Sequence, residues 1–186
     1  MNIAQLAAHQ ILDSRGIPTV EVHLSLDSGM VVTASAPSGA SVGSHEAAEI
    51  RDHKLNSYLG LSVQTAISSV NNVLGPALSG KDPTKQRELD QTLIDLDGTP
   101  NKSKLGANAI LATSVAICKA GAATLGQPLF SYISGLIQNP VSAKLPTPMF
   151  NLINGGLHGT GNLDIQEFMV VPARRLSYTD SLKMGD

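Results

Sequence analysis

The chain has 186 residues, 42% of them apolar and 15% charged, with a formal net charge of −2. That supplies enough apolar side chain for a core and leaves room for one large or two small domains. It also excludes a global attraction to nucleic acid or to an anionic membrane surface.

In chain order, the N-terminus Met1-Asn2-Ile3-Ala4-Gln5 has neither a basic nor a continuous apolar stretch, so no signal peptide is expected. With one cysteine, Cys118, no internal disulfide can form, and a reducing, cytoplasmic setting is the expectation. Three strand-like segments come first. Residues 3–12 form one. Residues 19–26 alternate with period two, apolar at Val20, Val22, Leu24 and Leu26. Residues 30–36 form the third. Asp13-Ser14-Arg15-Gly16 and Asp27-Ser28-Gly29 supply turn chemistry between them, which predicts an antiparallel meander with one wet face. Pro37-Ser38-Gly39-Ala40-Ser41-Val42-Gly43-Ser44 is small, polar and glycine-rich, and reads as a mobile loop.

Helical patterns follow. Residues 63–74 place Val63, Ala66, Ile67, Val70 and Leu74 on one stripe. Asp82-Pro83 reads as an N-cap and first-turn proline, opening a helix that stops at Asp97-Gly98. Residues 106–125 make an alanine-rich helix. Its apolar run is broken by Asn108, Thr113, Ser114, Lys119 and Thr124, which argues for a buried helix over a membrane span. Cys118 within it reads as a small buried hydrophobe. Residues 128–136 suggest a short helix. Residues 138–148, with Pro140, Pro146 and Pro148, read as a linker. Residues 149–153 and 168–171 read as strands, and residues 181–186 begin another helix.

The most informative stretch is Asn154-Gly155-Gly156-Leu157-His158 with Asp164-Ile165-Gln166-Glu167-Phe168. Glycines and a histidine make a pliable polar loop. Gln166 and Glu167 stand next to the apolar run Phe168-Met169-Val170-Val171, and a strand sends neighbours to opposite faces, so both cannot be lost in one core. A carboxylate there needs a partner, because burying an unpaired charge is expensive. Two other patterns fail. Gly39-Ala40-Ser41-Val42-Gly43 has the spacing of a serine-hydrolase elbow, but Pro37-Ser38-Gly39 breaks the strand that the elbow needs. Residues 75–81 have the spacing of a phosphate loop, but Asp82 fills the hydroxyl position and a helix precedes it.

The chain resembles the enolase family, the glycolytic phosphopyruvate hydratases, over its whole length. The resemblance is carried by Ile11-Leu12-Asp13-Ser14-Arg15-Gly16 with Pro18-Thr19-Val20-Glu21-Val22, and by Ala36-Pro37-Ser38-Gly39-Ala40-Ser41. It continues through Asp97-Gly98-Thr99 with Asn101-Lys102-Ser103, and Gly106-Ala107-Asn108-Ala109-Ile110-Leu111-Ala112. It ends on Asn154-Gly155-Gly156 with His158, and Gln166-Glu167-Phe168-Met169 with Pro172.

That resemblance implies a fold: an α+β N-terminal domain over residues 1–137, with a three-stranded antiparallel meander plus helices. Residues 138–186 are then a linker and the first β-hairpin of an incomplete α/β (TIM-like) barrel. It implies a lyase that reversibly dehydrates 2-phosphoglycerate to phosphoenolpyruvate in glycolysis, by proton abstraction with a Mg²⁺-stabilised enolate. Ser41 becomes a ligand of Mg²⁺, His158 and Gln166 contact substrate, and Glu167 becomes a catalytic and substrate-binding carboxylate. Arg15 and Glu21 lie in the strand region that packs against the second subunit of a homodimer. Residue type alone leaves plainer readings open: a surface loop for Ser41, a structural hydrogen-bonder for His158, a salt-bridged strand glutamate for Glu167, and a solvated sheet face for Arg15 and Glu21.

The family takes its metal-binding carboxylates and its catalytic lysines from later barrel strands, so the resemblance implies an N-terminal fragment that is inactive alone. The alternative is a non-catalytic, enolase-derived binding or structural module. An unclosed hairpin also implies weak backbone protection after about Pro146. Five positions depart from the family pattern: Val42 for threonine, His53 for a small residue, Leu61 for lysine, and Gly159 and Gly161 for alanine and asparagine. The added glycines raise the entropy cost of ordering that loop.

Overall fold

The computed structural model describes residues 1–39, 43–137, 144–156, 159, 161 and 163–186. It divides into one unit, Met1–Pro140, and a second, Val141–Asp186.

The period-two segment becomes the central strand of the first unit. Strands β1 (Ile3–Leu12), β2 (Pro18–Leu26) and β3 (Val31–Ser35) form an antiparallel sheet in sequence order. Val20, Val22, Leu24 and Leu26 are buried on one face, while Glu21, His23 and Ser25 between them are half-buried on the other. The meander with one wetter face is therefore present. Asp13 closes the first turn by accepting the N–H groups of Arg15 (2.8 Å) and Ile17 (2.9 Å). Gly16 there has φ +74°, a conformation that favours glycine.

Both outer edges of this sheet are capped. Asn71 Oδ1 accepts the N–H of Ala8 (2.7 Å), and Asn71 Nδ2 donates to the Ala8 carbonyl (3.4 Å). Ser79 Oγ donates to the Ala4 carbonyl (3.3 Å), and the Ile3 N–H reaches the Lys81 carbonyl (2.8 Å). On the far side Lys119 Nζ donates to the Thr33 carbonyl (2.6 Å).

The apolar stripe over residues 63–74 is buried as expected, but it is not one regular helix. Helix α1 (Gln64–Ser69) passes into a π turn (Val70–Leu74) and then α2 (Gly75–Leu78). Pro76 explains the widening: it has no N–H for the carbonyl four residues back, and its ring crowds that carbonyl. Helix α3 (Gln86–Asp97) starts later than Asp82-Pro83 suggests. The Asp82 carboxylate turns locally onto the Thr84 N–H (2.9 Å) and hydroxyl (2.8 Å) and caps no helix starting at residue 83. Gly98, at φ +69°, ends α3 as its left-handed cap.

Helix α4 (Ala107–Thr124) is long and apolar enough to cross a membrane by length and composition. In this fold its Ala109, Ala112, Ala116, Ile117 and Ala120 are fully buried, and it packs against β2, β3, α3 and α5 (Leu129–Leu136). Cys118 is half-buried, and burial holds its thiol above the usual range. Gly121 lets α5 approach: a Cβ there would stand 2.8 Å from the Pro83 carbonyl oxygen and overlap the Tyr132 ring.

The second unit holds β4 (Phe150–Asn154) paired antiparallel with β5 (Glu167–Val170), then α6 (Tyr178–Lys183). Ser177 caps α6 by accepting the Asp180 N–H (3.1 Å). Among the described residues the two strands form a two-stranded sheet and close no barrel. Unlike β2, both faces are open: Leu152 is 64% and Ile153 52% exposed.

Candidate active site

In the first unit, Glu21 faces His9 on β1 and Ser35 on β3 in the strand register. Its carboxylate takes His23 Nε2 at 2.9 Å and the Ser35 hydroxyl at 3.0 Å. The His23 bond, with Ser35 assisting, holds Glu21 below its ordinary pKa against the opposing effect of burial. Arg15 grips Asp13 through Nη2 (2.9 Å) and Nε (3.2 Å), and its Nη2 donates to the Ser38 carbonyl (2.7 Å). The two expected interface residues thus have separate partners and do not pair with each other.

Ser41 and Val42 lie outside the described residues. The chain on either side of them is tightly held. Upstream, the Ala36 N–H donates to the Val20 carbonyl (3.0 Å), and the Thr19 hydroxyl donates to the Ala36 carbonyl. Downstream, the Ala48 N–H donates to the Asn101 carbonyl (2.7 Å), and Asn108 brackets the Ile50 backbone through both amide atoms (3.3 and 3.1 Å). Arg51 and Asp52 follow, and sequence reasoning assigned neither a role. Only a charged pair in an otherwise aperiodic stretch could have flagged them. His53 takes φ +55°, and its N–H donates to the Gly60 carbonyl (3.0 Å). Histidine is among the non-glycine residues enriched in that conformation.

In the second unit, Asn154-Gly155-Gly156 forms the end of the hairpin. Gly155 is buried, and a Cβ on it would stand 2.8 Å from the Leu163 carbonyl oxygen. The Gly155 N–H donates to the Gln166 carbonyl (2.9 Å), and the Gly156 N–H to the Leu163 carbonyl (2.9 Å). Asn154 pairs with Glu167 in the ladder. Gln166 and Glu167 are therefore fixed by backbone, with exposed side chains. His158 lies outside the described residues. Gly161 has φ +84°, which suits glycine better than the family's asparagine.

Among the described residues, no three His, Cys, Asp or Glu side chains converge as metal ligands. The one metal donor that the resemblance assigns in this chain, the Ser41 hydroxyl, is a hard oxygen and lies outside the described residues. A hydroxyl oxygen is a donor type suited to hard cations such as Mg²⁺.

Residues 3–133 match the family model described as the enolase N-terminal domain. The chain belongs to the enolase family. Residues 142–186 match the model of the enolase C-terminal TIM barrel domain, and the β4–β5 hairpin falls within that match. The α+β sheet-and-helix unit followed by a hairpin of an incomplete barrel is the enolase arrangement that the sequence suggested.

Proposed function

We propose that these residues serve an enolase that reversibly dehydrates 2-phosphoglycerate to phosphoenolpyruvate, acting as a Mg²⁺-dependent homodimer in the cytoplasm. Membership of the enolase family, on both matched segments, carries this reading. The chemical difficulty is removal of a proton next to a carboxylate that is already negative. Bound Mg²⁺ supplies positive charge where negative charge develops. Ser41 offers it a hydroxyl oxygen. Gln166 and His158 bind and orient the substrate. Glu167 orders water and supports proton transfer, from a position fixed by its ladder pairing with Asn154. Arg15 and Glu21 serve the subunit interface.

The test is phosphoenolpyruvate formation from 2-phosphoglycerate with Mg²⁺ by a polypeptide that carries these residues and the remaining barrel strands. Turnover is expected, with loss on chelation, and Glu167→Gln should lower kcat by about 10²-fold or more. No turnover by the unsubstituted protein ends the reading.

A second reading concerns residues 1–186 by themselves. The open β4–β5 sheet favours a module that binds or is recognised without turning over substrate. Activity of this chain above a buffer blank refutes it.

A further inference from the structure

The wetter face of the first sheet brings two histidines together. His9 on β1 stands opposite Glu21 on β2, and His23 lies two residues further along β2, so all three side chains share that face. The His9 and His23 ring centres are 5.0 Å apart, with the ring planes at 74°. Ala7, directly opposite His23, adds only a methyl to the patch. His9 is exposed, and the His23 side chain is 39% exposed. A line of bonds backs the pair: the Ser35 hydroxyl donates to Glu21 Oε2 (3.0 Å), and Glu21 Oε1 lies 2.9 Å from His23 Nε2. A carboxylate bonded to one imidazole nitrogen keeps the proton there and leaves the lone pair on the other, here Nδ1.

We propose that His9 and His23 form a binding site for a late-transition divalent cation, Zn²⁺, Ni²⁺ or Cu²⁺, with Glu21 as the positioning residue that holds His23 through Nε2. His23 binds through Nδ1. His9 binds through a ring nitrogen after turning about its own side-chain bonds, which an exposed side chain does freely. Two imidazoles on one tetrahedral zinc, with metal–nitrogen bonds of about 2.0–2.1 Å, stand with ring centres ~5 Å apart, so the separation of the two rings already suits a shared ion. No third ligand-type side chain converges among the described residues, and water completes the shell. Imidazole suits these ions, whereas Mg²⁺ prefers oxygen. The site therefore differs in its chemistry from the Mg²⁺ reading above and does not rest on it.

The test titrates residues 1–186 with Ni²⁺ and Zn²⁺ by calorimetry, and with Cu²⁺ by electron paramagnetic resonance. Molar mass is recorded alongside, because Glu21 is also proposed for the subunit interface; binding in either oligomeric state supports the site. One ion per chain is expected, held more tightly for Cu²⁺ than for Ni²⁺ or Zn²⁺, and not displaced by millimolar Mg²⁺. The Cu²⁺ spectrum should show two imidazole nitrogens, falling to one in His9→Ala and in His23→Ala. Glu21→Gln should keep both nitrogens and the thermal midpoint while affinity falls roughly tenfold, which separates positioning from loss of fold. His45→Ala should change nothing. No binding at millimolar Ni²⁺ overturns the proposal, as does binding undiminished in both His9→Ala and His23→Ala. A Cu²⁺ spectrum of the unsubstituted chain with fewer than two imidazole nitrogens overturns it even where a variant fails to fold.

Discussion

Asp52 does for α1 what no neighbour in sequence can. The residue at the N-cap position is Val63, which offers no side-chain acceptor. Asp52 instead accepts the N–H groups of Gln64 (2.8 Å) and Thr65 (2.9 Å) and the Thr65 hydroxyl (2.7 Å). A carboxylate at a helix N-terminus also meets the positive end of the helix dipole. Burial pushes its pKa up, but the bonds from Thr65, Gln64 and Ser62 outweigh it and bring the value to about 2, from an ordinary 3.8. Asp52→Ala should therefore cost about 1 kcal/mol in urea unfolding at neutral pH, the usual scale for a lost cap. The sign follows from the depressed value. The contribution is present above pH 3.8 and is lost as pH falls through about 2, so wild type and variant should converge in acid. A difference that persists below pH 2 would refute the assignment. Gln166 and Glu167 could be picked from the sequence because polar residues next to an apolar run are conspicuous. Asp52 could not, since its partners lie twelve and thirteen positions away.

The elements of the first unit are arranged so that the sheet ends cleanly. A free strand edge is a template for unwanted pairing. Here Asn71 and Ser79 cover β1, and Lys119 covers β3. Asn71→Ala leaves the Ala8 N–H without its side-chain partner. The expected loss is about 1–3 kcal/mol by thermal or urea unfolding, the cost of an unsatisfied donor. A variant as stable as wild type would show that solvent serves Ala8 equally well. The elements themselves were largely legible: the alternation of β2 and the small-residue run of α4 each have one physical solution. The π turn was not, because the stripe Val63, Ala66, Val70 and Leu74 looks the same whether or not Pro76 widens the backbone. The start of α3 was misread for a related reason. Asp82 is equally good at capping a helix and at closing a turn on Thr84, and only the tertiary setting decides.

At the scale of the molecule, the two units differ in how much they finish. The first has a covered sheet and a continuous core of buried residues from β1 to α4. The second exposes apolar side chains on both faces of its hairpin, including Leu152, Ile153, Phe168 and Val171. Amide exchange in residues 1–186 should be fast across β4 and β5 and slow across β2, because few buried contacts oppose opening of the hairpin. Strong protection of both strands in a monomer would contradict this. The family was legible from motifs spread along the chain, and its overall layout came with it. What no motif carried was the web of bonds around Arg51, two of whose four acceptors, the Pro18 and Leu61 carbonyls, leave no trace in residue identity. One last property follows from the small side chains of α4. Where Ala109, Ala112, Ala116 and Ala120 meet the strands, hardly a methyl remains to be trimmed, and any added methylene would lever the helix away. Sequence drift in this protein should therefore pass that seam by, and collect on the outward-facing flank of the same helix, around Leu111 and Leu125.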